Sequence, residues 1–210
     1  MKIVAAFLVL MLLLAALAWF TNALRGRRMR FIDEYAYPRG IRERVRKRYP
    51  HLTDEQLDRV MRGLTEWFHL HREAGRVTLS MPSQVVDAAW HEFILFTAGY
   101  RQFCKHALGR FLNHTPAEAM RSPTDAQDGL RRTWRRACQR SGIEPGTPTR
   151  LPLLFALDAE LGIPDGFRYT LDCRAGLAQG AAPSSYCATD IASGGCSGDG
   201  DGGDGGCGGD

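Results

Sequence analysis

Asp87 and His91 stand four residues apart, so on a helix they share one face. Tyr100 and Cys104 repeat that spacing a little later, and His114 follows. If the two stretches form a helical hairpin, Asp87, His91, Cys104 and His114 converge. These are metal-ligand types, and a mixed N/O/S set suits zinc or iron. The same residues support two other readings. A carboxylate-oriented histidine works without a metal. An Asp/His pair also serves simply to satisfy a half-buried imidazole, with Cys104 packed as a small hydrophobe. The sequence contains no His-Glu-x-x-His and no paired Cys-x-x-Cys to decide among these.

The elements that must position these residues are helical. Thr53-Asp54-Glu55-Gln56 is a capping box and opens a helix to about Ala74, with Gly75 as its stop. Leu57, Val60, Met61, Leu64, Trp67, Phe68 and Leu70 give that helix its core stripe. Pro82-Ser83 starts the most apolar soluble helix, which carries Asp87 and His91, with a break expected near Gly99. The next helix carries Tyr100, Phe103 and Cys104 and ends at Gly109. Further starts are read at Thr115-Pro116 and Ser122-Pro123. Leu130, Trp134 and Cys138 line the inner face of the latter helix. A short charged helix precedes Pro50, a short apolar one covers Leu153 to Leu161, and Phe167 to Leu171 reads as an isolated strand. The predicted fold class is mainly α: an N-terminal transmembrane helix, one compact multi-helix domain and a disordered Gly-rich tail.

The run Val86-Asp87-Ala88-Ala89-Trp90-His91, then Tyr100 and Cys104, then His114, resembles the repeat unit of glycine-rich domain-containing proteins. That family carries D-x-x-W-H, then Y-x-x-x-C and a later His. The resemblance covers roughly residues 80–120 and is in keeping with the Gly-rich C-terminus. It implies an architecture more than an activity, with Trp90 and Tyr100 as motif residues. Many members have a second His two after the first, where this chain has Phe93.

Ile3 to Phe20 is an unbroken apolar run. At ~1.5 Å per residue it approaches the ~30 Å hydrocarbon core of a bilayer. Only Lys2 precedes it, whereas Arg25, Arg27, Arg28 and Arg30 follow. The positive-inside rule makes this a single-pass signal-anchor with the soluble domain cytoplasmic. Ala16-Leu17-Ala18 supplies the small-x-small pattern of a cleaved signal peptide, so export is the alternative. The four arginines are expected to face lipid, with anionic headgroups as partners. A solvated helix face is the competing reading of the basic stretch. The division expected is 1–24 anchor, 25–50 basic juxtamembrane segment, 51–174 helical domain and 175–210 tail.

The tail holds Cys187, Cys196 and Cys207, expected to be exposed thiols in flexible sequence, and repeated Gly/Asp without the Glu of an EF-hand loop. No Walker loop, nucleophile elbow or dinucleotide fingerprint is present, and no specific nucleic-acid binding is expected. The chain reads foremost as a membrane-tethered, non-catalytic interaction or scaffold module whose protein partner the sequence leaves unnamed. The alternative is a metal-binding or metal-dependent enzyme built on the Asp/His/Cys/His cluster.

Overall fold

The computed structural model of the chain describes residues 2–114, 123–171 and 185–193. Helix α1 (Lys2–Asp33) is unbroken. It exposes Phe7, Leu8, Leu12, Leu13, Trp19 and Phe20 on all sides, and is long and apolar enough to cross a membrane. Its last turns change character: Ile32 is fully buried and Phe31 packs against the core. The apolar helix therefore enters the domain directly, with no linker between them.

Helix α2 (Arg39–Arg48) buries Ile41 and Val45. Its arginines point outward to acids of the domain, Arg44 to Glu92 at 2.9 Å, Arg48 to Asp165 at 3.2 Å, and Arg42 and Arg46 to Asp54. The α2 part of the basic stretch set apart in the sequence as 25–50 is thus built into the core, because Ile41 and Val45, four apart, form an apolar stripe between the charges. Helix α3 (Asp54–Ala74) starts with the expected capping box, both halves formed at Thr53 and Gln56. Gly75, at φ 64°, ends it in the left-handed region.

Helix α4 (Gln84–Leu95) and helix α5 (Thr97–Ala107) form the expected hairpin, but the break falls at Phe96 rather than Gly99. The helix restarts immediately, and Gly99 sits in its first turn. Gly109, at φ 73°, closes α5 as expected. Helix α6 (Pro123–Arg140) buries Trp134 and Cys138, and helix α7 (Leu153–Glu160) runs through the core. The start read at Thr115-Pro116 lies outside the described residues.

Strand β1 (Arg168–Thr170) is not isolated. It pairs in parallel with β2 (Ser185–Cys187), in the register Tyr169 to Tyr186. Helix α8 (Ala188–Ser193) follows and packs on α6. Ala188 and Ile191 are buried in the common core. The part of the tail at 185–193 therefore belongs to the domain, because Tyr186, Cys187 and Ile191 supply apolar side chains that the Gly/Asp stretch lacks. Cys187 is buried and disulfide-bonded, which corrects the expectation of an exposed thiol. Cys196 and Cys207 lie outside the described residues.

Candidate metal centre

The site rests on a buried carboxylate in α7. Asp158, 2% exposed, accepts from the Ser83 hydroxyl (2.7 Å), the Gln84 and Val85 amides (2.7 and 3.3 Å) and the Phe167 amide (2.9 Å). Ser83 in turn caps α4 by accepting from the Val86 amide. A negative charge at the helix N-terminus satisfies its orphan amides and complements its dipole. Asp158 thereby fixes the start of α4, the helix that presents Asp87 and His91 one turn apart.

A second relay fixes His114. The Trp90 indole donates to the Tyr100 hydroxyl (3.1 Å), and that hydroxyl donates to the Leu112 carbonyl (2.7 Å). All three residues are buried. The motif spacing thus has a physical purpose: α4 and α5 jointly hold the segment after Gly109, which returns His114 to the exposed edge of α4. Trp90 also stacks edge-on to the His114 ring at 4.7 Å.

The outcome is a compact donor set. His91 Nε2 lies 2.9 Å from His114 Nε2, His114 Nε2 lies 3.2 Å from Asp87 Oδ1, and His91 Nδ1 lies 3.5 Å from Asp87 Oδ2. One ligand atom from each of the three residues falls within 4.8 Å of the others. Tetrahedral zinc with bonds of ~2.0–2.1 Å separates its ligand atoms by ~3.3 Å, so the side chains would have to shift to close around an ion. The side chains of Asp87 and His114 are 21% and 16% exposed, while that of His91 is 46% exposed. The set is held from below and open above.

Cys104 does not join it. The thiol is fully buried, sits against the Leu112 backbone and Tyr100, and burial pushes its pKa up. It faces the core because Phe103, Cys104 and Ala107 form the inner stripe of α5. Among the described residues the group that could hold a metal ion is Asp87, His91 and His114. Of the basic residues after the apolar run, Arg25, Arg27 and Arg30 are exposed. Arg28 is half-buried and turns towards the Leu108 carbonyl at 3.4 Å.

The triad borders a cavity of about 550 Å³ between α3, α4, the 109–114 segment, α6 and the β1–β2 pair. Trp67 and His71, one turn apart on α3, line its inner wall. Neither the Trp67 Nε1 nor either His71 ring nitrogen has a hydrogen-bond partner among the described residues. The two rings meet perpendicular at 4.3 Å. Burial pushes the His71 pKa down to about 3, with the Arg110 charge adding to it, so the ring is neutral at pH 7. Sequence reading missed this pair and Asp158. The apolar stripe of α3 predicts that Trp67 is buried, but nothing local says that a cavity passes it.

Against known families, residues 27–191 match the UCP032817-like family. The chain belongs to that family. The matched region begins in the arginine cluster of α1 and ends at Ile191 in α8, so the family unit includes α2 and the β2–α8 segment as well as the helices around the triad. The match carries neither the name nor the motif of the glycine-rich domain-containing proteins. Comparison with curated proteins and with solved structures gives no match.

Proposed function

We propose that the protein is a membrane-anchored, metal-dependent enzyme in which Asp87, His91 and His114 hold zinc or iron beside the cavity. The observation that carries this reading is the convergence of two imidazoles and one carboxylate, from two separate segments, on a single open point. Both metals accept that donor set: zinc with a fourth position left for water, and Fe(II) as a two-His, one-carboxylate face. A metal held by Asp87, His91 and His114 would supply Lewis-acid activation of water and of a carbonyl or phosphoryl oxygen, the chemistry of metal-assisted hydrolysis in the case of zinc. Trp90, Tyr100 and Cys104 position the ligands and do not bind the metal. The resemblance to glycine-rich domain-containing proteins fits this division of the motif into ligands and supports, and we extend that kinship to this chain.

The apolar helix is proposed as a single-pass anchor, with the domain on the cytoplasmic side by the arginine bias. A non-catalytic scaffold accounts for the anchor but leaves the triad and the cavity beside it without a role. The deciding experiment is elemental analysis of the full chain purified in detergent, next to Asp87→Ala, His91→Ala and His114→Ala. Near-stoichiometric zinc or iron, lost in each variant while the far-UV circular dichroism is kept, is the expected result. A folded wild-type protein that takes up neither metal returns the triad to a hydrogen-bonded brace and favours the scaffold.

A further inference from the structure

The cavity has a second, basic side, and that side lies against the membrane helix. Arg28 donates to the Leu108 carbonyl, and its guanidinium occupies the space where a Gly109 side chain would stand, within 2.5–2.8 Å. Arg25 and Arg28 also lie close enough to Arg72 that their charges, after burial, lower its pKa. Gly109 is followed by Arg110, whose Nε donates to the Gly75 carbonyl at 3.0 Å, and Gly75 is followed by Arg76. Arg25, Arg28, Arg72, Arg76 and Arg110 thus share one end of the fold, and Arg76 and Arg110 line the cavity.

Depth follows from the helix. Arg25 stands ~7.5 Å along the axis from Phe20, where the apolar run ends, and Arg28 one turn further out, at 1.5 Å per residue. The headgroup layer adds ~5–7 Å on each side of the hydrocarbon core. The basic end of the cavity therefore lies at the outer edge of the headgroup layer, and buried Ile32 holds the helix to the domain. Beside the arginines, Val77 and Phe111 are 42% and 49% exposed, two large apolar side chains at the same end. Exposed apolar groups next to cations suit a membrane interface better than a site for a free anion.

We propose that the cavity takes the phosphate-bearing headgroup of an anionic membrane lipid, with Arg76 and Arg110 on the phosphate. This rests on the reading of the cavity as the substrate site, and it names the substrate class. It does not require that the metal be bound. The neutral inner wall of Trp67 and His71 then meets the uncharged end of the headgroup.

The test uses the full chain in dodecyl maltoside and follows tryptophan emission, since Trp67 and Trp90 both line the cavity. Dihexanoylphosphatidylglycerol is titrated with zinc present and again with EDTA. The expected result is a saturable change in both. Affinity is at least about tenfold weaker in Arg76→Glu, as the loss of one charge-assisted contact dictates, and also for dihexanoylphosphatidylcholine, whose trimethylammonium is repelled by the arginines, and for inorganic phosphate, which lacks the apolar part. No saturable change in either condition overturns the proposal, as does unaltered affinity in Arg76→Glu. Equal binding of inorganic phosphate overturns it in favour of a free-anion site. Arg110→Gln is a second probe, and because Arg110 braces the end of α3, the exposed Arg76 decides if that variant does not fold. Lipid binding kept in a protein that holds no metal upholds this inference while the metal reading fails. Metal uptake with no lipid response has the opposite meaning.

Discussion

Tyr100 shows how a side chain acts on the triad without touching it. Its hydroxyl links Trp90 to the Leu112 carbonyl, two residues before His114. Tyr100→Phe leaves both of those groups unsatisfied and loosens the segment that carries His114. Supporting residues of this kind change metal affinity by ~10–100-fold. Zinc competition with a chelating dye is expected to show such a loss for Tyr100→Phe with the helical signal unchanged. An unchanged affinity would detach the relay from the site. His71 predicts a pH effect on stability. Its folded pKa is about 3 against an ordinary 6.5, so the unfolded chain binds this proton first as pH falls. The stability present above pH 6.5 is lost between pH 6.5 and 3, at up to about 1.4 kcal/mol per pH unit. His71→Leu is expected to flatten that limb, read as the urea midpoint at pH 7, 5.5 and 4.5. An identical slope in the variant would contradict the buried neutral ring.

Among the elements, α3, α4 and α7 pack too closely to admit a methyl group. A Cβ at Gly63 would stand 2.7 Å from Leu157 Cδ1 and 2.8 Å from Val86 Cγ2. Alanine gains about 1 kcal/mol of helix propensity over glycine, but overpacking costs about 1–3 kcal/mol, with backbone movement on both sides. Gly63→Ala is therefore expected to lower the thermal midpoint by several degrees, against the propensity trend. A raised midpoint would mean the helices are free to separate. Asp158 acts between elements, joining α7 to the start of α4 and to Phe167. Asp158→Asn replaces acceptors with one acceptor and one donor facing backbone amides, at about 1–3 kcal/mol. Because α4 carries Asp87 and His91, the same variant is expected to weaken metal uptake as well as stability.

For the molecule as a whole, the last described segment, 185–193, packs into the common core. A chain cut at Ala175 loses β2 and α8, with buried Cys187, Ala188 and Ile191. Burying an isoleucine alone contributes about 1.5–3 kcal/mol, so the cut chain is expected to melt well below the full one. Differential scanning calorimetry checks this, and equal midpoints would make 185–193 dispensable. Orientation has its own readout. The arginines after the apolar run argue for a cytoplasmic domain, whereas a disulfide at Cys187 belongs to an oxidising compartment. Mass spectrometry of native membranes alkylated before lysis reads the state of Cys187. A reduced thiol upholds the cytoplasmic side, and a disulfide places the domain on the other.

Local signals sufficed for the apolar helix, the capping box at Thr53, the stops at Gly75 and Gly109 and the helical character of the domain. Each depends on residues a few positions apart, where spacing alone fixes which groups meet. Asp87 and His91 were legible for the same reason, being one helical turn apart. The sequence could not say that Cys104 turns inward while His114 turns back, since both directions satisfy the spacing. That choice belongs to the packing of α5 against the core and to the Trp90–Tyr100–Leu112 relay. Nor could it show that α2 and the 185–193 segment join the core, because their few apolar residues are diluted by charge or glycine and gain meaning only from what they pack against. Asp158, seventy-one residues from Asp87, and the cavity beside Trp67 and His71 arise from contacts distant in the chain. Tertiary structure alone decides these, because the free energy that selects them is that of burial and of satisfied polar groups, and neither is a property of any short stretch.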